Sequence, residues 1–253
     1  MQFDITHYID IHSHILPGID DGCGSMGESL EMARRYAATG VTQVIATPHF
    51  LPGTKWATPK AKVLELVDQV QQQLDRQKIA LRILPGMEIA NHGRLLDRLK
   101  EGELLSLGAS NHYLIEPSFH GPQDELLECL SEALDNGFKL ILAHPERVNG
   151  LQNKIDMIGE LVQRGLRLQI NGGSLLGKVS SELNRAARRF WDEQCCHFIA
   201  SDAHGLDRRC PFTNQQWQQL LAGTVTSRML AETNRNLATM FSDMDHEMMQ
   251  NSH

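Results

Sequence analysis

The chain has 253 residues, a hydrophobic content of 41% and a formal charge of −7, which fits one large domain that can fold without a disulfide or a structural metal. The acidic balance argues against nucleic acid as the main partner, because proteins that bind DNA or RNA usually present a net basic face. No run approaches 18 consecutive apolar residues, so the sequence predicts no membrane insertion.

Short β-rich runs alternate with longer helical patterns along the chain. The β-rich runs predict seven strands, at 7–14, 41–50, 79–89, 112–117, 138–145, 166–172 and 196–205. Apolar residues at helical spacing predict helices at 26–40, 58–77, 93–101, 122–137, 151–164, 179–193, 214–222 and 226–240.

This alternation implies parallel strands joined by helical crossovers. It predicts an α/β protein with a closed or nearly closed (β/α) barrel of seven units, and an open doubly wound sheet is the alternative. We expect a single domain over 1–240 and a flexible C-terminal tail over 241–253, since no linker or repeat interrupts the pattern.

Side chains that commonly bind metals end six of the seven predicted strands. In chain order they are His12 and His14, His49, Glu88, Glu116, His144, and Asp202 with His204. Because the C-terminal ends of parallel barrel strands meet on one face, we expect these side chains to converge where barrel active sites lie. A single strand-end histidine would mean little, and the joint placement is the signal.

The spacing within "HSH" and "SDAH" supports the same interpretation. Residues i and i+2 of a strand point the same way, so His12 and His14 can reach one ion, and Asp202 and His204 repeat that geometry. Imidazole and carboxylate together suit Zn²⁺, Fe²⁺ or Mn²⁺. Eight such groups, or nine with Asp21, exceed the needs of one ion and predict two or three.

The pair Asp20–Asp21 precedes Gly22 and has two interpretations. Both aspartates could simply form a turn, because aspartate and glycine are typical turn residues. We favour Asp21 as a further ligand.

Arginines follow two of the ligand-bearing strands. Arg147 lies in "AHPERV", and Arg208 and Arg209 lie in "SDAHGLDRR". A guanidinium is a planar fork that matches phosphate oxygens. We place Arg147 and Arg209 in the pocket and Arg208 in a surface salt bridge. His92 and His120, just past ligand-bearing strands, are expected at the surface, with substrate contact as the alternative.

The five cysteines are scattered and form no CxxC pair. Such thiols fit a reducing cytoplasm and buried apolar positions. None has an arginine six positions later, as the loop of cysteine-dependent tyrosine phosphatases requires. That class of enzyme is therefore excluded.

Seven short motifs of the chain together resemble those of a known family. "DIHSHILPGIDDG", "TPHF", "GMEI", "YLIEP", "AHPERV", "QING" and "SDAHGLDRR" resemble the polymerase-and-histidinol-phosphatase (PHP) superfamily, over residues 8 to 240. The likeness is closer to its protein-tyrosine phosphatases of bacterial capsule and exopolysaccharide operons than to histidinol phosphatases or polymerase-associated domains.

The resemblance implies a distorted, TIM-like (β/α)7 barrel of the PHP fold that holds two to three divalent ions. Mn²⁺ is the expected ion, with Fe²⁺ or Zn²⁺ as alternatives. The ligand sets it implies are His12, His14, Glu88 and Asp202 for one ion, Glu88, Glu116 and His144 for a second, and Asp21, His49 and His204 for a third. It also implies that Arg147 and Arg209 hold the phosphate.

The implied substrate is a phosphotyrosine segment of a bacterial tyrosine kinase that governs polysaccharide export, in the cytoplasm; a homo-oligomer is left open. The implied chemistry is attack on phosphorus by a metal-activated hydroxide. Phenol, with a pKa of about 10, can leave without a general acid.

Three alternatives accompany this hypothesis. A small-molecule phosphomonoesterase resembling histidinol phosphatase would use the same ions. A metal-dependent amidohydrolase usually has a strand-end lysine, which none of the seven ends carries. A non-enzymatic scaffold that binds the kinase should have lost ligands, and this chain retains them. From the residues alone, the prediction is a metal-dependent phosphoesterase.

Overall fold

The computed structural model describes residues 5–119, 121–176, 180–207 and 209–250, with 242–250 as backbone only. Two residues discussed above, His120 and Arg208, lie outside the described residues. The remaining predicted site residues all lie within them.

Every strand pairing in the described part of the chain is parallel. The strands are β1 Ile9–Ser13, β2 Gln43–Ala46, β3 His49–Phe50, β4 Arg82–Pro85, β5 Glu88–Ala90, β6 His112–Glu116, β7 Lys139–Ala143, β8 Arg167–Asn171 and β9 Phe198–Ala200. One sheet has the order β1-β2-β4 and the other has the order β3-β5-β6-β7-β8-β9.

Two of the seven predicted strands are each split into two pieces. Pro48, which has no N–H to donate, separates β2 from β3, and Gly86 separates β4 from β5. A Cβ at Gly86 would lie 2.8 Å from Ile45 Cγ2, so glycine permits the close approach of these strands. The pairing resumes with His49 opposite Glu88, so the split leaves two predicted ligands side by side in the second sheet.

The last strand returns to the first. Ser13 and Ala203 form a parallel bridge, and the flanking backbone hydrogen bonds are Asp202 N to His12 O at 3.0 Å and His14 N to Ala203 O at 2.8 Å. The seven strand positions therefore follow one another around a ring, with β2/β3 and β4/β5 each counted once. The predicted α/β class with parallel strands is confirmed.

Helices connect successive strand positions, as predicted. The connecting helices are α1 Met26–Ala38, α2 Lys60–Arg76, α3 Leu95–Glu101, α4 Gln123–Asp135, α5 Ile155–Gln163, α6 Gly172–Leu175 and α7 Ser181–Asp192. Two further helices follow the last strand, α8 Asn214–Ala222 and α9 Thr224–Gln250. Helical backbone thus continues past residue 240, and the division into a domain over 1–240 and a tail stays a prediction. None of the helices so described has the length and apolar character needed to cross a membrane.

A buried polar network ties α1 to the seam between β1 and β9. Tyr36 donates its hydroxyl to Asp10 Oδ2 at 2.9 Å and lies 2.9 Å from the Ser201 hydroxyl. The other Asp10 oxygen accepts the Ser201 N–H at 3.1 Å and the His12 N–H at 3.3 Å. Buried carboxylates are stable only when hydrogen-bonded in this way. The network therefore fixes the register of the two strands that deliver His12 and Asp202.

Candidate metal centre

The predicted ligands converge on one end of the barrel. His12, His14 and Glu88 have no exposed surface, and His144 and Asp202 are each 1% exposed. The remaining predicted ligands line the same region: Asp21, His49, Glu116 and His204. The structure therefore brings together all nine side chains that the sequence singled out.

These side chains form overlapping groups whose ligand atoms lie within 4.8 Å of one another. The groups are His12–His14–Asp202, His12–Glu88–His144, His49–Glu88–Glu116 and His14–Asp21–His49–His204. Each of the four groups offers at least three nitrogen or oxygen atoms, which is the number a catalytic metal site takes from the protein.

Glu88 lies at the centre of the groups. Its Oε1 is 3.2 Å from His12 Nε2 and 2.8 Å from His144 Nε2. Its Oε2 is 3.2 Å from His14 Nε2 and 3.0 Å from His49 Nδ1. One carboxylate thus faces four imidazoles, two on each oxygen, which is the arrangement expected of a bridging ligand.

The hydrogen bonds of two rings test whether cations fit this site. His12 Nδ1 lies 2.9 Å from Gln169 Oε1, and His14 Nδ1 lies 2.7 Å from Asp20 Oδ2. Since both partners are acceptors, each Nδ1 carries a proton, and in the neutral rings each Nε2 carries a lone pair.

Those two Nε2 atoms are only 3.3 Å apart. Two neutral rings would face each other through lone pairs beside a buried carboxylate, so a proton or a shared cation is needed between them. Glu88 Oε2 and His204 Nε2 are also buried without a hydrogen-bond partner in the described structure. The donor set therefore fits divalent cations.

The electrostatics of the site agree with this fit. Burial lowers the pKa of His14, but the hydrogen bond with Asp20 and the nearby Glu88 carboxylate more than offset it and raise the pKa to about 9. Burial raises the pKa of Asp202, but the charges of His12, His144 and His14 together outweigh it and hold the pKa well below its usual range. The Asp202 carboxylate is therefore ionised at neutral pH and attracts positive charge to the region.

Both predicted pocket arginines reach the metal-binding region. Arg147 Nη1 donates to Asp202 Oδ2 at 2.8 Å. Arg209 donates to the same oxygen at 3.4 Å through Nη1 and to Asp21 Oδ2 at 3.5 Å through Nη2. His92 is exposed and is not among the described residues that line the pocket.

Three of these residues have left-handed backbone conformations. The φ angle is +30° at His144, +53° at Asp202 and +47° at Arg209. Such φ values in residues other than glycine cost about 1–3 kcal/mol each and are concentrated at functional sites. The fold therefore accepts local strain to aim these side chains at the pocket.

The loop after β1 folds back against His14. Cys23 N donates to His14 O at 3.1 Å, and Gly22 packs directly on that backbone. A Cβ at Gly22 would lie 2.2 Å from His14 O, so no larger residue fits there. This close approach places Asp20 and Asp21 on opposite sides of the imidazoles: Asp20 contacts His14, and Asp21 contacts His204.

A cavity of about 420 Å³ opens above the centre. Its described lining combines proposed ligands and both arginines with an apolar group formed by Leu51, Trp56, Ala90, Pro117 and Phe119. Its volume lies within the range of about 300–1,000 Å³ that small-molecule sites occupy.

Comparison with known proteins agrees with this geometry. The family model for capsular polysaccharide synthesis, CpsB/CapC, matches residues 8–236. The chain belongs to the CpsB/CapC family.

Named relatives in the CpsB/CapC family are phosphatases. Tyrosine-protein phosphatase YwqE of Bacillus subtilis (strain 168) is 36% identical over 201 residues, or 79% of each chain. Putative tyrosine-protein phosphatase CapC of Staphylococcus aureus is 32% identical over 209 residues, or 82% of this chain and 81% of the relative. A crystal structure described as YwqE from Bacillus subtilis and CpsB from Streptococcus pneumoniae, unique metal-dependent tyrosine phosphatases, is 34% identical and has a TM-score of 0.79. The structural match covers 91% of this chain and 94% of the chain in that crystal structure.

Sequence analysis missed the side chains that orient the ligands in this CpsB/CapC-family chain. Gln169 and Asn171 on β8 form a relay, because Gln169 Nε2 donates to Asn171 Oδ1 at 2.8 Å and Asn171 Nδ2 donates to Asp202 Oδ2 at 2.7 Å. With the bond from His12 to Gln169, β8 thus links two predicted ligands although it supplies none. The signal available was "LRLQING", where two amides alternate with apolar residues inside a buried strand.

Proposed function

We propose that this protein is a metal-dependent protein-tyrosine phosphatase that hydrolyses phosphotyrosine. One observation carries the proposal: eight imidazole and carboxylate side chains gather around Glu88, next to a pocket that two arginines enter. The named tyrosine-protein phosphatases among its relatives support the same activity.

We assign the ligands to two or three divalent ions, with Mn²⁺ as the expected ion and Fe²⁺ or Zn²⁺ as alternatives. The first set is His12, His14, Glu88 and Asp202, the second is Glu88, Glu116 and His144, and the third is Asp21, His49 and His204. The observed groups support the first and third sets, because His12, His14 and Asp202 form one group and Asp21, His49 and His204 share another. The members of the second set each lie beside Glu88, His144 in a group with His12 and Glu116 in a group with His49. His14 also lies near the third set, but its Nε2 faces His12 and belongs to the first.

Cations held there would supply Lewis-acid activation of water and would neutralise charge on the phosphate. The chain's own residues bind and orient the ester. Arg147 and Arg209 offer guanidinium N–H groups to the phosphate oxygens at the edge of the ligand cluster. The pocket offers no thiol nucleophile, because no described residue that lines it is a cysteine.

The natural partner in this proposal is a phosphotyrosine segment of a bacterial tyrosine kinase that regulates capsular or exopolysaccharide synthesis. The family's link to capsular polysaccharide synthesis supports this choice. A cytoplasmic location follows from the same partner, and the five cysteines, all free thiols, are compatible with a reducing compartment.

Metal analysis of the purified protein, paired with hydrolysis of p-nitrophenyl phosphate before and after chelation, tests the activity. We expect chelation to abolish turnover and Mn²⁺ to restore it. His14→Ala and Asp202→Ala should lose turnover while remaining folded, whereas His7→Ala, at an exposed histidine, should keep it. Turnover that survives both chelation and loss of a ligand would refute the proposal.

Substrate choice is tested separately. The metal-loaded protein should hydrolyse a phosphotyrosine peptide with a higher kcat/KM than histidinol phosphate or a sugar phosphate. The reverse order would assign the same centre to a small-molecule phosphatase. Binding of the kinase segment without turnover would assign the protein as a scaffold.

A further inference from the structure

Two aromatic side chains cover proposed ligand histidines at the rim of the pocket. The Trp56 ring stacks on the His49 imidazole with centroids 5.2 Å apart and planes 17° from parallel. The Phe119 ring stacks on the His144 imidazole with centroids 5.8 Å apart and planes 13° from parallel. Each ring therefore has one face against a ligand and lies beside the pocket.

The two histidines on which these rings stack both contact the central carboxylate, Glu88. His49 contacts one oxygen of Glu88 at 3.0 Å, and His144 contacts the other at 2.8 Å. Trp56 and Phe119, stacked on these two imidazoles, therefore both line the pocket that contains the central carboxylate.

Separate loops carry the two rings. Trp56 follows β3 on a return of the chain that is closed by the bond from Leu51 N to Trp56 O at 3.3 Å and by an antiparallel bridge between Phe50 and Ala57. Phe119 follows β6, three residues after Glu116. The position of each ring is thus fixed relative to a strand that bears a proposed ligand.

Phe119 also adjoins the phosphate-binding side of the pocket. The Arg147 guanidinium carbon is 5.2 Å from the Phe119 ring centroid, and Arg147 donates to Asp202. A phosphate held by Arg147 would therefore leave its ester substituent beside an aromatic face. Phe119 is 37% exposed, so part of its ring is available to contact a bound ester.

We propose that Trp56 and Phe119 form an aromatic clamp that binds the phenyl ring of aryl phosphate monoesters and sets the preference for aryl over alkyl esters. The inference rests on the proposed phosphatase function and adds its specificity determinant. Aromatic pairs gain binding energy beyond their buried area through stacked or edge-to-face contacts, and alkyl esters lack such a ring. The clamp also explains why apolar side chains line one part of a cavity whose floor is charged.

The competing role for these rings is to shield the histidines from water, since an apolar shell tunes a metal site. Shielding and clamping differ in what they change. Loss of a shield alters metal affinity and affects every phosphate ligand equally. Loss of the clamp weakens only ligands that carry an aromatic ring.

The test measures dissociation constants by calorimetry on the Mn²⁺-loaded full chain, with phenylphosphonate, methylphosphonate and inorganic phosphate as probes. We expect Trp56→Ala and Phe119→Ala each to reduce the preference for phenylphosphonate over methylphosphonate by about three- to tenfold. Affinity for inorganic phosphate and bound Mn²⁺ should stay unchanged. Trp56→Phe should keep most of the preference, and Leu64→Ala, an exposed apolar residue on α2, should keep all of it.

An unchanged preference in both alanine variants would overturn the clamp, and so would an equal loss for all three probes together with lost Mn²⁺. Failure of the proposed function has a different signature. It would appear as a metal-loaded wild-type protein that does not hydrolyse p-nitrophenyl phosphate, whatever the dissociation constants of the variants.

Discussion

Replacing Asp20 by asparagine should weaken the metal centre without removing any proposed ligand. Asp20 Oδ2 accepts the Nδ1 proton of His14 at 2.7 Å and the backbone N–H of His49 at 3.1 Å. Its Oδ1 accepts the backbone N–H of Gly22 at 2.9 Å. The carboxylate therefore fixes the His14 tautomer and turns Nε2 toward the other ligands.

The magnitude follows from these contacts. Both oxygens of Asp20 accept hydrogen bonds, so asparagine must point its NH₂ group at a donor on one side or the other. The charge-assisted bond to His14 contributes about 1.5–3 kcal/mol, which corresponds to about 10- to 100-fold in affinity. Loss of a carboxylate that orients a ligand histidine has a cost in the same range, about 10- to 100-fold in metal affinity or activity.

The assay is calorimetric titration of the metal-free protein with Mn²⁺, followed by p-nitrophenyl phosphate turnover as a function of Mn²⁺ concentration. Asp20→Asn should bind the ion of the His12–His14–Asp202 group about 10- to 100-fold less tightly and should need correspondingly more Mn²⁺ for half-maximal turnover. Asp68→Asn, at an exposed carboxylate on α2, is the matched control and should behave as wild type. Wild-type Mn²⁺ affinity in Asp20→Asn would refute the tautomer argument.

Three further changes test other parts of the molecule. Glu88→Gln should remove at least one bound ion per chain and lower turnover more than about 100-fold, since it loses the shared ligand; metal content at wild-type stoichiometry would contradict the bridging role. Arg147→Lys should raise KM for p-nitrophenyl phosphate about tenfold at unchanged metal content, because lysine cannot form the two-pronged contact; an unchanged KM would remove Arg147 from phosphate binding. Burial and the charge of Arg167 lower the pKa of His197 to about 4, below its ordinary value of 6.5, so the neutral ring contributes stability that is complete above pH 6.5 and is lost as the pH falls through 4. By urea unfolding, the wild type should lose about 3 kcal/mol more than His197→Asn between pH 7 and pH 4, and parallel curves would contradict the assignment.

The convergence of the predicted ligands could be foreseen because of a general property of parallel barrels. Strand-end residues such as His12, Glu88 and His144 are far apart in the chain, but parallel strands bring their C-terminal ends to one face whatever the connecting helices do. Periodicity located each strand well enough to identify its last residue. The predicted ligands could therefore be identified without knowing how the side chains pack.

The orienting residues were not predictable in the same way. The role of Gln169 depends on the lateral register of β8 against its neighbours, which periodicity does not specify. Asp20 and Asp21 are chemically alike, and the tight contact of Gly22 with His14 decides which of the two aspartates reaches that ring. Trp56 and Phe119 lie on loops, where the path of the chain follows from tertiary contacts and not from a repeat.

Backbone contacts hold this dense group of polar and charged side chains in place. Four carboxylates and five imidazoles meet at the centre, yet the backbone beneath them is held by bonds that involve no ligand side chain. The seam between β1 and β9 closes through backbone hydrogen bonds at His12, His14 and Asp202, and the buried Asp10–Tyr36 contact locks it from behind. Because that seam is made by backbone and side chains outside the nine-residue cluster, the fold imposes the geometry of the predicted ligands, and the proposed cations would bind to a site that is already positioned for them. Preorganisation of this kind is what allows a metal centre to stabilise a transition state without spending binding energy on rearranging its own ligands.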